Sequence, residues 1–471
     1  MAFAGGMVTN TNQSAAYIRM LARDASTDVD AVYYNPAALT KLADGFYIQL
    51  NNQTVIQERT IDNTYLGKTY TGDIFVPALP TFFAVYKTGN WAFSGGFTVI
   101  GGGGSADYST GLPDFEYPFK GLLGLVNTIP TTSATGYTAE IAFDGSSVYY
   151  GGQAGVTYKI NDMISVYGGA RYVYAANSYE GSIKNVQFQN IKTGLAPGYD
   201  GTGSKSANQF FKDIEPALIS TGNGDQAKAL IAATEDRVVD VEQFGSGITP
   251  IIGVNIALME DRLNIGLKYE FATKMEVENY TYQDDTKGMP GMPNGMFPDG
   301  ETVKSDMPAF LSVGIGYKIL EDFYVTAGLH YYWDKNVDYG KRDPSHPEWI
   351  GNEYFVDNNS YEIALGLQYD ISEKISLSGG YLHASSSPAL NYQSGMSYAL
   401  SSNTFSFGAI GHISERFDID LGILYTAYDD AEKSGDYYLS GTPIGSYTET
   451  YDKSNVVFAI GATYHFGGAK K

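Results

Sequence analysis

From Gly45 onward the sequence alternates with period two, and the alternation repeats after every turn. In "LNIGLKYEF", Leu263, Ile265, Leu267, Tyr269 and Phe271 fall on one face, and Asn264, Gly266, Lys268 and Glu270 on the other. "YEIALGLQY" (361–369) and "FDIDLGILY" (417–425) repeat this pattern. Successive side chains of a strand point to opposite faces, so each segment predicts a strand with one apolar face and one polar or small face. The connections sharpen this reading. Short turns occur at 87–90, 160–162, 260–262, 319–321, 372–374 and 414–416, and long segments at 61–75, 102–146, 175–244, 272–305, 334–359, 384–402 and 428–451. Six short turns and seven long connections separate fourteen strands, with both chain ends on the short-turn side. Outer-membrane barrels show this even count and this asymmetry. The predicted fold is all-β: a 14-stranded antiparallel transmembrane β-barrel over 45–466, with aromatics such as Tyr331, Tyr332 and Trp333 at its interface girdles.

Composition excludes several alternatives. No run of about 18 apolar residues predicts a membrane helix. The net charge of −22 disfavours nucleic acid as a partner. The absence of Cys removes disulfides and thiolate metal sites. The five histidines stand in no catalytic or metal-binding pattern, the acidic "YDDAE" (428–432) reads as a solvated loop, and the glycine runs have no Lys-Ser/Thr partner for a phosphate. No catalytic residue, cofactor or metal is expected. Ala2-Phe3-Ala4 before Gly5 has the small-residue pattern of a leader cleavage site, so residues 1–4 read as a remnant or a scar and 467–471 as a polar tail.

Three features carry candidate functional residues. In the second long segment Phe119, Leu122, Leu123 and Val126 recur at helical spacing, and in the third so do Phe210, Phe211 and Leu218. These faces pack on one another over the barrel mouth, form an exposed greasy groove, or do both; the "GMPGMPNGMFPDG" loop (288–300) adds methionines suited to varied apolar partners. By face alternation Arg171, Lys268 and Lys318 point inward, where each pairs with a lumen acid such as Glu270 or meets a ligand carboxylate. Asn35 and Pro36 have the residue types of an N-cap and a first helical position, predicting a short helix to Leu42.

The stretch "DASTDVDAVYYNPAALTKL" (24–42), the strand pattern, the apolar helical loops and "SDMPAFLSVGIGY" (305–317) together resemble the FadL-type (OmpP1/FadL/TodX) outer-membrane transporters of long-chain fatty acids and other hydrophobic compounds. "TNQSAAYIRMLARDAST" is similar to Bacteroidetes-type members. The sharpest motif is Asn35-Pro36-Ala37 just before the first strand. The resemblance implies that residues 5–44 form a hatch in the lumen, in keeping with a segment too short for its own core and a lumen too wide for barrel side chains to fill. It also implies a kink in the third strand that opens the wall sideways, and Gly101, Gly102, Gly103 and Gly104 lie there. The basic residue that the family uses on strand five is not matched, since "VYAANSYEG" has Ala and Asn at that place. The implied function is passive uptake of hydrophobic molecules (fatty acids, lipids, aromatic hydrocarbons) by a monomer embedded in outer-membrane lipid. Alternatives are a scaffold for a type 9 secretion machinery and a general porin.

Overall fold

Backbone pairing carries the sheet round a full circle. In the computed structural model, which describes residues 7–287, 294–342, 348, 351–439 and 442–467, the first strand pairs with the last from Phe46↔Phe466 to Asn63↔Glu449. The fourteen staves are β1 (Gly45–Asn63), β2 (Lys68–Thr88), β3 (Trp91–Tyr108), β4 (Gly136–Lys159), β5 (Ile164–Gln189), β6 (Arg237–Leu258), β7 (Leu263–Glu270, continued by Glu276–Asp284), β8 (Phe310–Lys318, preceded by Thr302–Lys304), β9 (Phe323–Tyr332), β10 (Tyr361–Ser372), β11 (Ile375–Ser385), β12 (Ser402–Ser414), β13 (Phe417–Tyr428, continued by Ala431–Leu439) and β14 (Thr442–Phe466). A spanning strand needs about 9–11 residues. The 24, 26 and 25 residues of β4, β5 and β14 therefore continue beyond the membrane. The segments 61–75 and 428–451, expected as long loops, are largely tall hairpins.

The outer face is apolar and the inner face polar. Ile363, Leu365, Leu367, Leu421 and Ile423 are exposed on the outside, while Glu362, Ala364, Asp418 and Asp420 are buried within. The girdle expectation needs a correction at Tyr332. It is consecutive with Tyr331 and so faces the lumen, where it is fully buried, stacks on Phe310 at 4.9 Å and donates to Glu362 at 2.8 Å. A charge at mid-membrane costs about 2–4 kcal/mol. Leu365→Arg is therefore expected to lower refolding stability in bilayers by about that amount, with Leu365→Phe near neutral. A water-facing site would accept Arg, and a packed interior would reject both.

Inside the barrel lies the N-terminal segment. It contains α1 (Ala15–Arg19), α2 (Ala31–Tyr34) and a 3₁₀ turn at Pro36–Lys41, and nearly every residue from Thr9 to Thr40 is buried. These pieces are too short to satisfy their own backbone, and buried backbone groups must find partners. The polar inner face of the barrel supplies them. Gln53 donates to Asn12 O, Thr81 to Gln13 O, Gln153 to Val32 O, Asn264 to Ala25 O and Lys268 to Tyr33 O, at 2.7–2.9 Å. From β7 to β13 a lumen-facing glycine lets the segment lie against the wall. A Cβ on Gly266 would stand 2.1 Å from Asp24 O, on Gly314 2.3 Å from Asp24 C, and on Gly366 2.3 Å from Leu21 O.

Candidate transport path: hatch, wall gap and lumen

Residues Asn35-Pro36-Ala37 dock the hatch on β4 to β7. Asn35 does not cap a helix through its side chain; its amide donates to Asn255 Oδ1 at 2.8 Å and to Ser26 O at 3.2 Å. The carbonyls of Pro36 and Ala37 accept from Thr157 at 2.7 Å and from Ser165 at 2.6 Å. Two ionic clasps hold the other side. Arg19 Nε meets Asp420 at 2.6 Å while its Nη1 donates to Gln368 and Ser378. His330 stands between Asp24 (2.7 Å) and Glu362 (2.6 Å), and Ser312 donates to Asp24 at 2.6 Å. The sequence showed no acid pattern around this histidine, because Asp24 reaches it from the far end of the chain.

The wall is open between β2 and β3. β2 and β3 pair from Thr88↔Trp91 to Phe82↔Phe97 and again only at Asp73↔Asp107. Between these, residues 74–81 and 98–106 are unpaired with each other. Both strands contribute to the gap. β2 carries Pro77 and Pro80, which cannot donate to a ladder, and it bulges against β1 between Gln53↔Leu79 and Val55↔Val76. β3 turns inward: Thr98, Val99 and Ile100 are all buried, which breaks the alternation. Against β4 its register slips between Val99↔Tyr150, Gly101↔Tyr149 and Gly104↔Ser147, so that β3 holds two extra residues. Gly102 has φ +103°, a conformation that a side chain would strain.

The freed backbone of the kink is taken up by the start of the hatch. Asn10 N–H donates to Ile100 O at 2.8 Å, Gly102 N–H to Val8 O at 3.0 Å, and the side chains of Asn10 and Gln13 to Val99 O at 2.9 and 2.8 Å. Gly101 leaves room for this contact, since its Cβ would stand 2.4 Å from Val8 O. Gly104 has already rejoined β4, and Gly103 lies in the strand between them. Leu79, Val99, Ile100, Tyr149 and Met307 make the inner side of the gap apolar together with Tyr33 of the hatch.

The lumen cations expected to meet a ligand are differently disposed. Arg171 is bidentate to Glu270 (2.5 and 3.1 Å) and also donates to Gln153, while Lys268 bonds the same Glu270 at 2.7 Å. Both are spent on one carboxylate beneath the Tyr33 ring. Lys318 is exposed at the periplasmic end of β8, six residues along the strand from the Ser312↔Lys268 pair, and does not join them.

At the mouth, the helices α3 (Pro113–Val126), α4 (Ala207–Ser220) and α5 (Gly224–Ala233) turn their apolar faces inward. Phe119, Leu122, Val126, Phe210, Phe211 and Leu218 are buried in a common cluster, with Leu123 partly buried against it. These residues pack on one another and line no open groove; Ile219 and Leu195 are among the exposed apolar residues there. Burial and the neighbouring Glu449 push the Asp114 carboxyl up to about 6 at the base of α3, and burial beside Lys433 brings the Lys341 ammonium down to about 8. The "GMPGMPNGMFPDG" loop lies largely outside the described residues, as do residues 1–6 and 468–471.

A closed barrel with an apolar outer face, plugged by its own N-terminal segment, defines an outer-membrane transport protein. The model of the family described as outer membrane protein transport protein (OMPP1/FadL/TodX) matches residues 144–466, and the chain belongs to that family. Solved structures share the fold over nearly the whole chain. A Pseudomonas aeruginosa FadL homologue has a TM-score of 0.65 at 14% identity, covering 98% of this chain and 100% of that one. The toluene transporter TodX of Pseudomonas putida has a TM-score of 0.54 at 14% identity, covering 94% and 95%. The toluene transporter TbuX of Ralstonia pickettii has a TM-score of 0.51 at 14% identity, covering 93% and 94%. No curated protein matches the sequence.

Proposed function

We propose that the chain takes up hydrophobic molecules passively and releases them sideways into the membrane between β2 and β3. The observation that carries this reading is the unpaired stretch of wall. Unpaired backbone in hydrocarbon is costly and persists only where it lines a cavity or meets another partner. Here the hatch residues Val8 and Asn10 are that partner, so withdrawing them exposes an apolar-lined opening of several residues. Molecules would gather at the mouth, pass over the hatch and leave by this gap. Long-chain fatty acids and aromatic hydrocarbons are the proposed cargo classes, the second in keeping with the toluene transporters that share the fold. The buried hatch argues against a wide water-filled pore, and the path needs no chemistry on the cargo.

Uptake of labelled oleate, toluene and a disaccharide by proteoliposomes separates the readings. Oleate or toluene is expected to enter faster than in empty vesicles, with the disaccharide at background. Fast sugar entry alone would make the chain a porin. Entry of none of the three would overturn the transport reading.

A further inference from the structure

Arg171 and Lys268 have acid partners, but a second pair of lumen cations does not. Arg59 on β1 and Lys453 on β14 are directly opposite in the register, and both are buried, 6% and 2% exposed. Among the described residues neither forms an ion pair, and Arg59 Nε and Lys453 Nζ have no hydrogen-bond acceptor. The next pair down the same face, Gln57↔Asn455, repeats the situation: both side-chain amide nitrogens lack acceptors. Aromatic rings close the site. Arg59 lies 5.0 Å from the Tyr398 ring, and Lys453 lies 4.4 Å from the Tyr428 ring and 5.8 Å from Tyr398.

Two buried like charges side by side, with amide donors below them, repel each other and lack the acceptors that buried donors require. Such an arrangement is completed by an anion. We infer that Arg59 and Lys453 recognise the carboxylate of a hydrophobic acid. The position suits that occupant. Gln57 is aligned with Ile74, the residue at which β2 loses its pairing with β3, so the cations stand just above the wall gap. Above them lies the Tyr108–Tyr398–Tyr451 cluster. Below them, about 13 Å along the strand, Val55 and Val457 begin the apolar cluster that runs to Leu79, Val99 and Ile100. A headgroup held here lays its apolar body toward the gap. The inference rests on the transport reading and adds a preference for acids to it.

The test uses the full chain in an uncharged detergent, with oleate, methyl oleate and toluene as probes. Removing a charge-assisted hydrogen bond costs roughly ten- to a hundredfold in affinity. The parent is expected to bind oleate that much more tightly than methyl oleate. Arg59→Gln and Lys453→Met should erase the difference by weakening oleate alone. Without ligand, Lys453→Met should melt above the parent, because an ammonium without an acceptor gives way to an apolar chain of similar size. Equal binding of acid and ester by the parent, which needs no variant to fold, would overturn the site, as would variants that keep the preference. If ester and toluene bind without any preference for the acid, only the anion site falls. If none of the three probes binds, the transport reading falls with it.

Discussion

Asp420→Ala is expected to free the hatch. Arg19 and Asp420 are 2% and 4% exposed and meet at 2.6 Å. Removing one partner of a buried ion pair leaves the other charge uncompensated, at a cost of about 3–5 kcal/mol. Gln368 and Ser378 still hold the guanidinium through Nη1, but neither neutralises it. The barrel itself keeps its ladders, so the penalty falls on docking of the hatch and raises the undocked population by roughly two to four orders of magnitude. Since the chain has no Cys, Ala15→Cys gives a single reporter on α1, where the side chain is fully buried. Its labelling by a bulky impermeant thiol reagent should be slow in the parent and fast with Asp420→Ala, and single-channel recordings should show new openings. Replacing both partners, Arg19→Met with Asp420→Leu, should return labelling close to the parent, since a buried pair exchanged for apolar side chains is often neutral. Equal labelling in all three would place the anchorage elsewhere, with the Asp24–His330–Glu362 clasp the next to test.

The barrel was legible because its strands repeat one simple signal. Alternation and turn asymmetry depend on neighbours in sequence, and they marked the fourteen staves despite no average surplus of apolar residues. The lumen contents were less legible, since contacts there join residues hundreds of positions apart. Arg19 with Asp420 and Asp24 with His330 leave no spacing to detect. Some signals were present and carried more than was read from them. Nearly every strand from β7 to β13 has a glycine at mid-length on its polar face, in "NIGLKY", "SVGIGY", "TAGLHY" and "ALGLQY" among others. A lumen lined only by polar side chains has no need of them, whereas one that holds a chain segment does. Pro77 and Pro80 inside an otherwise regular strand marked the β2 side of the gap, complementing the glycines on β3. Face alternation also places Arg59 and Lys453 inward, but only the closed register sets them side by side without an acid. The helical loops show the limit of periodicity: spacing identified the apolar faces of α3 and α4, while their mutual burial is a tertiary fact.

The gap gives the second large expected effect. Removing Gly102 and Gly103 together should abolish uptake of hydrophobic cargo while the barrel still folds. Against β4, the step from Val99 to Gly104 covers five residues where Tyr150 to Ser147 covers three. Deleting two residues makes the counts equal, so the ladder can run without a bulge from Val99 to Tyr108. Because the number removed is even, the side chains beyond keep their faces, and Ala106 and Tyr108 stay inside. A straightened β3 no longer needs Val8 and Asn10 as partners, and it moves back toward β2, where Ile74, Val76 and Leu79 can meet it despite the two prolines. Single deletion of Gly103 is the contrasting change. It inverts the facing of every residue from Gly104 to Tyr108, driving Ala106 and Tyr108 outward and Asp107 inward, and should lower folded yield. The measurement is entry of labelled oleate and toluene beside the heat-shifted gel mobility of the folded barrel. A double deletion that folds and transports as well as the parent would show that cargo does not leave between β2 and β3, and the route would then run straight past a displaced hatch.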